Sequence, residues 1–264
     1  MMRILAITNQ KGGVGKTTTC VNLAASLVET RHRVLLIDLD PQGNATTGSG
    51  VDKAACKHTV YHVLIGDKSI AEVRVKTESG FDIVPANREL AGAEVELVNE
   101  LARETRLKQA LAALGDDEYD YVLIDCPPAL NLLTVNALTA AHAVMIPMQC
   151  EYYALEGLSD LVNTTKRVRA YLNPALEIEG LLRTLFDTRN MLAQQVSAQL
   201  TQHFGDKVYR TVIPRNIRLA EAPSYGKPVL TYDRASKGAK AYLALAEEII
   251  NRSKTSTNAG ATHG

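Results

Sequence analysis

Ile4-Leu5-Ala6-Ile7-Thr8-Asn9-Gln10-Lys11-Gly12-Gly13-Val14-Gly15-Lys16-Thr17-Thr18 is the stretch that decides the fold. Ile4–Thr8 is a short apolar run and reads as a buried strand, and Lys16–Thr30 carries a helical pattern. The glycine-rich turn between them can approach an anion closely, because glycine takes positive φ without steric cost. Successive N–H groups then face one concavity, and the helix N-terminus adds partial positive charge. In such a turn Lys16 supplies a point charge to the terminal phosphates of a nucleotide and Thr17 supplies a hydroxyl to its Mg²⁺. Strand, loop and helix in that order are the context this motif requires.

Outward from the loop, further apolar runs recur at Arg33–Asp38, Phe81–Pro85, Tyr119–Asp125, Ala143–Met148 and Ile178–Phe186. Their centres are apolar without strict alternation, as in a parallel sheet covered on both faces. Helical patterns separate them at Arg88–Leu114, Asn131–Ala141, Ala154–Leu172 and Met191–Phe204, and a last one spans Lys237–Arg252. Alternating strands and helices imply an α/β fold with a mostly parallel central sheet and helices on both faces, and the glycine-rich phosphate loop after the first strand makes it of the P-loop NTPase type. With no internal repeat and no long linker, residues 1–252 are expected to form a single domain, and the small, polar stretch 253–264 a disordered tail.

Two of the strands end in acids. Val34-Leu35-Leu36-Ile37 runs into Asp38-Leu39-Asp40-Pro41, and Tyr121-Val122-Leu123-Ile124 into Asp125-Cys126-Pro127-Pro128. Carboxylates at the C-terminal edge of a parallel sheet stand where such sheets bind ligands. Alternation puts Asp38 and Asp40 on one side of an extended segment. With the loop, these acids assemble the positioning and charge neutralisation that phosphoryl transfer needs.

The loop departs from the common G-x-x-x-x-G-K-[ST] pattern: Gln10 stands where its first glycine would be, and a second lysine, Lys11, heads the turn. Lys11-Gly12-Gly13-Val14-Gly15-Lys16-Thr17-Thr18 resembles the deviant Walker A motif of the ParA/MinD group of ATPases. The resemblance implies ATP with Mg²⁺ as cofactors and the whole run from Lys11 to Thr18 as nucleotide-binding. It further implies Thr17, Asp38 and Asp125 at the metal, and Asp40 beside the attacking water. Lys11 and Lys16 would be catalytic with Asp40, Lys11 reaching the nucleotide of a second subunit in an ATP-dependent homodimer.

The run Val212-Ile213-Pro214-Arg215-Asn216-Ile217-Arg218-Leu219-Ala220-Glu221-Ala222-Pro223-Ser224-Tyr225-Gly226-Lys227-Pro228 is similar to the chromosome-partitioning ParA branch, also called Soj, and the likeness extends from about Met1 to Arg252. It implies Pro214 and Asn216 near the adenine, and Arg189 and Arg218 on double-stranded DNA without sequence preference. It also implies a ParB-type centromere-binding partner that stimulates slow hydrolysis, and a cytoplasmic, nucleoid-associated protein serving a chromosome or a plasmid.

Charge supports the DNA reading in part. The formal net charge is zero, yet Arg183–Lys254 carries 12 Lys/Arg against 6 Asp/Glu. Non-specific DNA binding is largely phosphate contact and needs no base-reading motif. Three neighbouring functions fit less well. A membrane switch of the MinD kind needs a terminal helix with bulky apolar residues, whereas Asn251–Thr257 has no apolar face, so no membrane partner is expected. An iron–sulfur ATPase like the nitrogenase iron protein needs paired thiols, but Cys20, Cys56, Cys126 and Cys150 form no C-x-x-C and read as reduced, buried thiols. A large plasmid-type ParA carries an N-terminal helix-turn-helix domain, for which no room is expected ahead of a loop that begins ten residues from the start.

Overall fold

The computed structural model describes residues 2–115, 117–152 and 154–260, with the side chains of 154–156 and 255–260 left aside. The six strands expected from the sequence all form. They are β1 (Arg3–Ile7), β2 (Val34–Asp38), β4 (Asp82–Val84), β5 (Tyr121–Asp125), β6 (Ala143–Met148) and β7 (Glu177–Phe186). Two more join them: β3 (Val75–Lys76) and β8 (Val208–Pro214). The eight make one sheet in the order β3-β4-β2-β5-β1-β6-β7-β8, parallel throughout except for the β3–β4 pair at one edge.

Successive side chains of a strand point to opposite faces, and β1 shows the consequence. Ile4 and Ala6 enter one core with Leu35, Ile37, Val122 and Ile124, while Leu5 and Ile7 enter the other with Leu36, Leu123 and Met145. The second core is closed by the loop helix Lys16–Glu29 and the C-terminal helix, whose Tyr242, Leu245 and Ile249 are fully buried or nearly so. Both faces are therefore covered, which is why the strands read as continuous apolar runs.

Edge strand β8 was not expected because its burial is mixed, with Arg210 exposed and Thr211 and Val212 only partly buried, so it has no continuous apolar run. Glu248 of the C-terminal helix accepts from Arg210 N and Thr211 N, each at 2.8 Å, and the Arg252 guanidinium lies 4.3 Å from the centre of the Tyr209 ring.

The structure differs from the sequence reading in two helices. The stretch Arg88–Leu114 is not continuous: it breaks into Leu90–Glu96 and Arg106–Ala112, with 3₁₀ turns at Leu97–Asn99 and Arg103–Thr105. Tertiary contact overrides helix propensity here. Asn136, fully buried in the helix Leu132–Ala140, donates to Arg103 O at 2.9 Å and accepts from Leu107 N at 3.1 Å, and Ala102 takes a positive φ of 56°. The last helix runs Lys237–Gly260, past the expected stop at Arg252. The remainder of the expected tail, 261–264, lies outside the described residues.

Glycine is required at Gly180 of β7, against the segment that leads into β8. The β6–β7 pairing shifts register between Val144 and Met145, opposite Gly180. A Cβ on Gly180 would stand 2.7 Å from Lys207 O and 2.8 Å from the Tyr209 ring. Both neighbours are held, so Gly180→Ala should lower stability by about 1–3 kcal/mol, read as a lower urea midpoint with an unchanged slope.

Candidate functional site

The glycine loop leaves the C-terminal end of β1 and enters the helix Lys16–Glu29. Gly13 has φ +72° and Gly15, the helix N-cap, +83°, so both occupy the left-handed region that favours glycine. Nothing lies within 4 Å of a Cβ built on Gly12 or Gly13, so that side of the loop is open to a ligand. Lys16 is nearly buried and donates from Nζ to Lys11 O at 3.0 Å, bridging the loop from inside. Burial draws its pKa below the ordinary lysine range, and the nearby Asp125 acts in the opposite direction.

Neighbouring strands grip the loop from outside. Gln149, just beyond β6, donates from Nε2 to Gly13 O at 3.3 Å. Thr184 in β7 donates from Oγ1 to Val14 O at 2.7 Å. Asn9 accepts from Lys11 N at 3.0 Å and donates to Pro147 O at 2.8 Å. None of these three side chains belongs to the motif. No sequence spacing could find Gln149 or Thr184, which reach the loop from more than a hundred residues away.

Under the loop lie the two acids. Parallel pairing puts Asp38 of β2 directly beside Asp125 of β5, and Asp125 in turn beside Ile7 of β1. Both carboxylates are fully buried. Asp38 accepts from Asp40 N at 3.1 Å and from Thr46 N and Thr46 Oγ1, each at 2.8 Å. Asp125 accepts from Thr17 Oγ1 at 2.8 Å and more weakly from the Cys20 thiol at 3.4 Å. Burial raises the pKa of both acids; Asp38 raises that of Asp125 further, and Asp40 that of Asp38.

Carboxylates this dry are costly without a cation. A hydroxyl and carboxylate oxygens are the hard donors a Mg²⁺ ion takes, and Asp125, with fewer donors of its own than Asp38, has room for one. Among the described residues no group of three or more His, Cys, Asp or Glu forms a metal cage. That suits an ion that keeps water and phosphate in its shell.

The remaining candidates lie on the same sheet edge or beside it. Asp40, half-buried, accepts from Gln42 N at 2.9 Å. Thr18 O accepts from Asn22 Nδ2 at 2.7 Å within the loop helix. Lys11 turns away from its own loop, its Nζ 2.6 Å from Glu151 Oε2, with both side chains about half exposed. Pro214 ends β8 opposite Phe186, and Asn216 caps the helix Ile217–Glu221 by accepting from Leu219 N at 3.3 Å. Arg189 is exposed and paired with Asp187 at 2.9 Å; Arg218 is paired with Glu221 at 2.8 Å and Asp233 at 3.3 Å. Cys20, Cys126 and Cys150 are buried as expected, whereas Cys56 is only half-buried, in a loop rather than an apolar strand; burial pushes the pKa of all four thiols up. Thr46 went unread in the sequence although it ties three elements together: its hydroxyl donates to Asp38 and accepts from Ala86 N at 2.9 Å.

Two outcomes follow from this packing. Thr46→Val strands the Ala86 N–H and should cost about 1–3 kcal/mol in urea unfolding. A buried acid with a raised folded pKa contributes stability below the ordinary Asp value of 3.8 and loses it as pH rises through the raised value. Asp125→Asn should therefore melt above the parent protein at pH 8 without nucleotide, with the difference shrinking toward pH 4; a lower melting point at pH 8 contradicts this.

Known proteins resemble this chain in both sequence and fold. A family described as an AAA domain matches residues 2–178. The chromosome partitioning protein ParA of Caulobacter vibrioides is 54% identical over 255 residues, covering 96% of each chain. The sporulation initiation inhibitor protein Soj of Bacillus subtilis is 56% identical over 250 residues, covering 94% of this chain and 98% of that one. Among solved structures, cobyrinic acid a,c-diamide synthase of Mycobacterium smegmatis, with bound ATP analogue and magnesium, superposes with a TM-score of 0.85 at 40% identity, covering 97% of each chain. Sharing more than half its residues with ParA and Soj along nearly their full lengths, the chain belongs to the ParA/Soj family of chromosome-partitioning ATPases.

Proposed function

We propose that this DNA-partitioning ATPase works as a switch: an ATP-bound sandwich dimer binds DNA without sequence preference, and hydrolysis releases it. The observation that carries the reading is Lys11, a second loop lysine whose ammonium rests on an exposed glutamate instead of in its own loop. A weak, half-exposed ion pair of this kind is readily exchanged for a phosphate. Lys11 is thereby available to the nucleotide of a second subunit, which would make the γ-phosphate part of the dimer interface and couple assembly to ATP.

ATP with Mg²⁺ is the ligand. Thr17 and Asp125 would hold the ion, with Asp38 beside them, and the chemistry it would supply is neutralisation of phosphate charge. The loop N–H groups and Lys16 bind and orient the phosphates. Asp40, at the mouth of the buried acid pair, orients the attacking water. Pro214 and Asn216 border the adenine. The name of the Mycobacterium smegmatis structure points to amide synthesis, but the stronger likeness to ParA and Soj favours water as acceptor.

Arg189 and Arg218 carry the DNA contact in this reading. Their carboxylate partners are partly exposed, so DNA phosphates can compete for the guanidinium groups, and the basic excess of Arg183–Lys254 adds a favourable field. A ParB-type protein would accelerate hydrolysis and so detach the dimer from the nucleoid of a chromosome- or plasmid-bearing cell. No helix among the described residues is long and apolar enough to cross a membrane.

Two experiments test the switch. Duplex DNA titrated with ATP, ADP or no nucleotide should bind with ATP alone. Asp40→Ala should still bind with ATP while hydrolysing poorly, and Arg218→Ala should weaken binding and flatten its salt dependence. Equal binding with ADP overturns the reading. Separately, Lys11→Ala should stay monomeric with ATP in light scattering; full ATP-dependent dimerisation of that variant excludes the role given to Lys11.

A further inference from the structure

The phosphate loop does not hold its shape alone. Its own Lys16 takes Lys11 O, but two successive carbonyls are taken by side chains outside it: Gly13 O by Gln149 and Val14 O by Thr184. A trans peptide unit points its C=O and its N–H in opposite directions, and the described chain contains no cis bonds. A donor that holds a carbonyl outward therefore aims the N–H of the same peptide unit inward. Thr184 on Val14 O sets the Gly15 N–H, and Gln149 on Gly13 O sets the Val14 N–H.

Thr184 is the stronger of the two. It is 2% exposed and its bond is short, whereas Gln149 reaches its carbonyl at 3.3 Å from a more exposed position. The Thr184 side chain also packs on the loop, its Cβ 3.7 Å from where a Gly15 Cβ would be. Its aim depends on an irregular strand. The β7–β8 register shifts between Leu181 and Arg183 and again between Arg183 and Phe186, and Leu185 next to it has φ +49°, a conformation bulky residues rarely adopt. Strain at such a position points to a functional demand.

We propose that Thr184 is a positioning residue for phosphate binding: its hydroxyl, by fixing the Val14 carbonyl, aims the Gly15 N–H into the anion site, with Gln149 doing the same one peptide earlier. This rests on the loop being an ATP site. Because the clamp acts on phosphate donors alone, its loss weakens every ligand carrying the phosphate chain and leaves the nucleoside unaffected. A hydroxyl that served only to stabilise the fold would lower the melting point and leave the affinity of the folded protein for phosphates unchanged.

The test uses the intact protein with Mg²⁺, displacing a fluorescent ATP analogue with ATP, inorganic tripolyphosphate or adenosine. Thr184→Val, close in shape but without the hydroxyl, should weaken ATP and tripolyphosphate by about tenfold, the scale of one well-made hydrogen bond. Adenosine should bind as before, and Thr184→Ser should restore phosphate affinity to within about twofold of the parent. Gln149→Leu should show a smaller loss with the same selectivity. Parent-like tripolyphosphate affinity in Thr184→Val overturns the clamp; should that variant not fold, parent-like affinity in Gln149→Leu does so. A parent protein that binds neither ATP nor tripolyphosphate would instead overturn the ATP-site reading itself.

Discussion

Two carboxylates, Asp38 and Asp125, are held side by side in a dry site by the register of adjacent parallel strands. Left alone this arrangement is unfavourable, since each charge has lost its water and faces another of the same sign. The rest of the fold is organised around tolerating it. Thr46 and the Asp40 N–H engage Asp38, Thr17 engages Asp125, and Lys16 places an ammonium nearby. The charge that these contacts leave uncompensated is what a bound cation would offset.

The strand ends that place these acids also build the loop above them. The β1 end launches the loop, the segment after β6 supplies Gln149 and Glu151, and β7 supplies Thr184. Lys11 and Lys16, separated by four residues, face different ways because different neighbours claim them: an exposed glutamate on one side, the loop's own carbonyl on the other. That division suits one lysine working within the subunit and the other across an interface. Beyond β7 the chain continues into the segment bearing Arg189, and β8 ends at Pro214 and leads to Arg218, so the surface proposed for DNA is continuous with the strands that clamp the loop. Arg215 N donates to Phe186 O at 3.2 Å and binds those two segments together.

Much of this was legible from the residues in order. The glycine loop, Lys16, Thr17 and the acid-ended strands follow local rules: positive φ for glycine, apolar runs for buried strands, an acid where the strand leaves the sheet. The break in Arg88–Leu114 was not legible, because the decisive group, Asn136, lies about thirty residues downstream and acts on backbone atoms. Edge strand β8 was hidden because it is only partly buried, and two of its N–H groups, on Arg210 and Thr211, are met by Glu248 of a helix that follows it in the chain.

The sequence by itself determined the type of sheet, the place of the phosphate loop and the identity of the charged groups, since periodicity and motif spacing are properties of neighbours along the chain. Tertiary structure alone decided that Asp38 stands opposite Asp125, that Lys11 leaves its loop for Glu151, and that Thr184 and Gln149 hold the loop carbonyls. These are matters of register and of side-chain reach between strands. A run of residues encodes which face a side chain takes, but only the packed sheet decides what lies across from it.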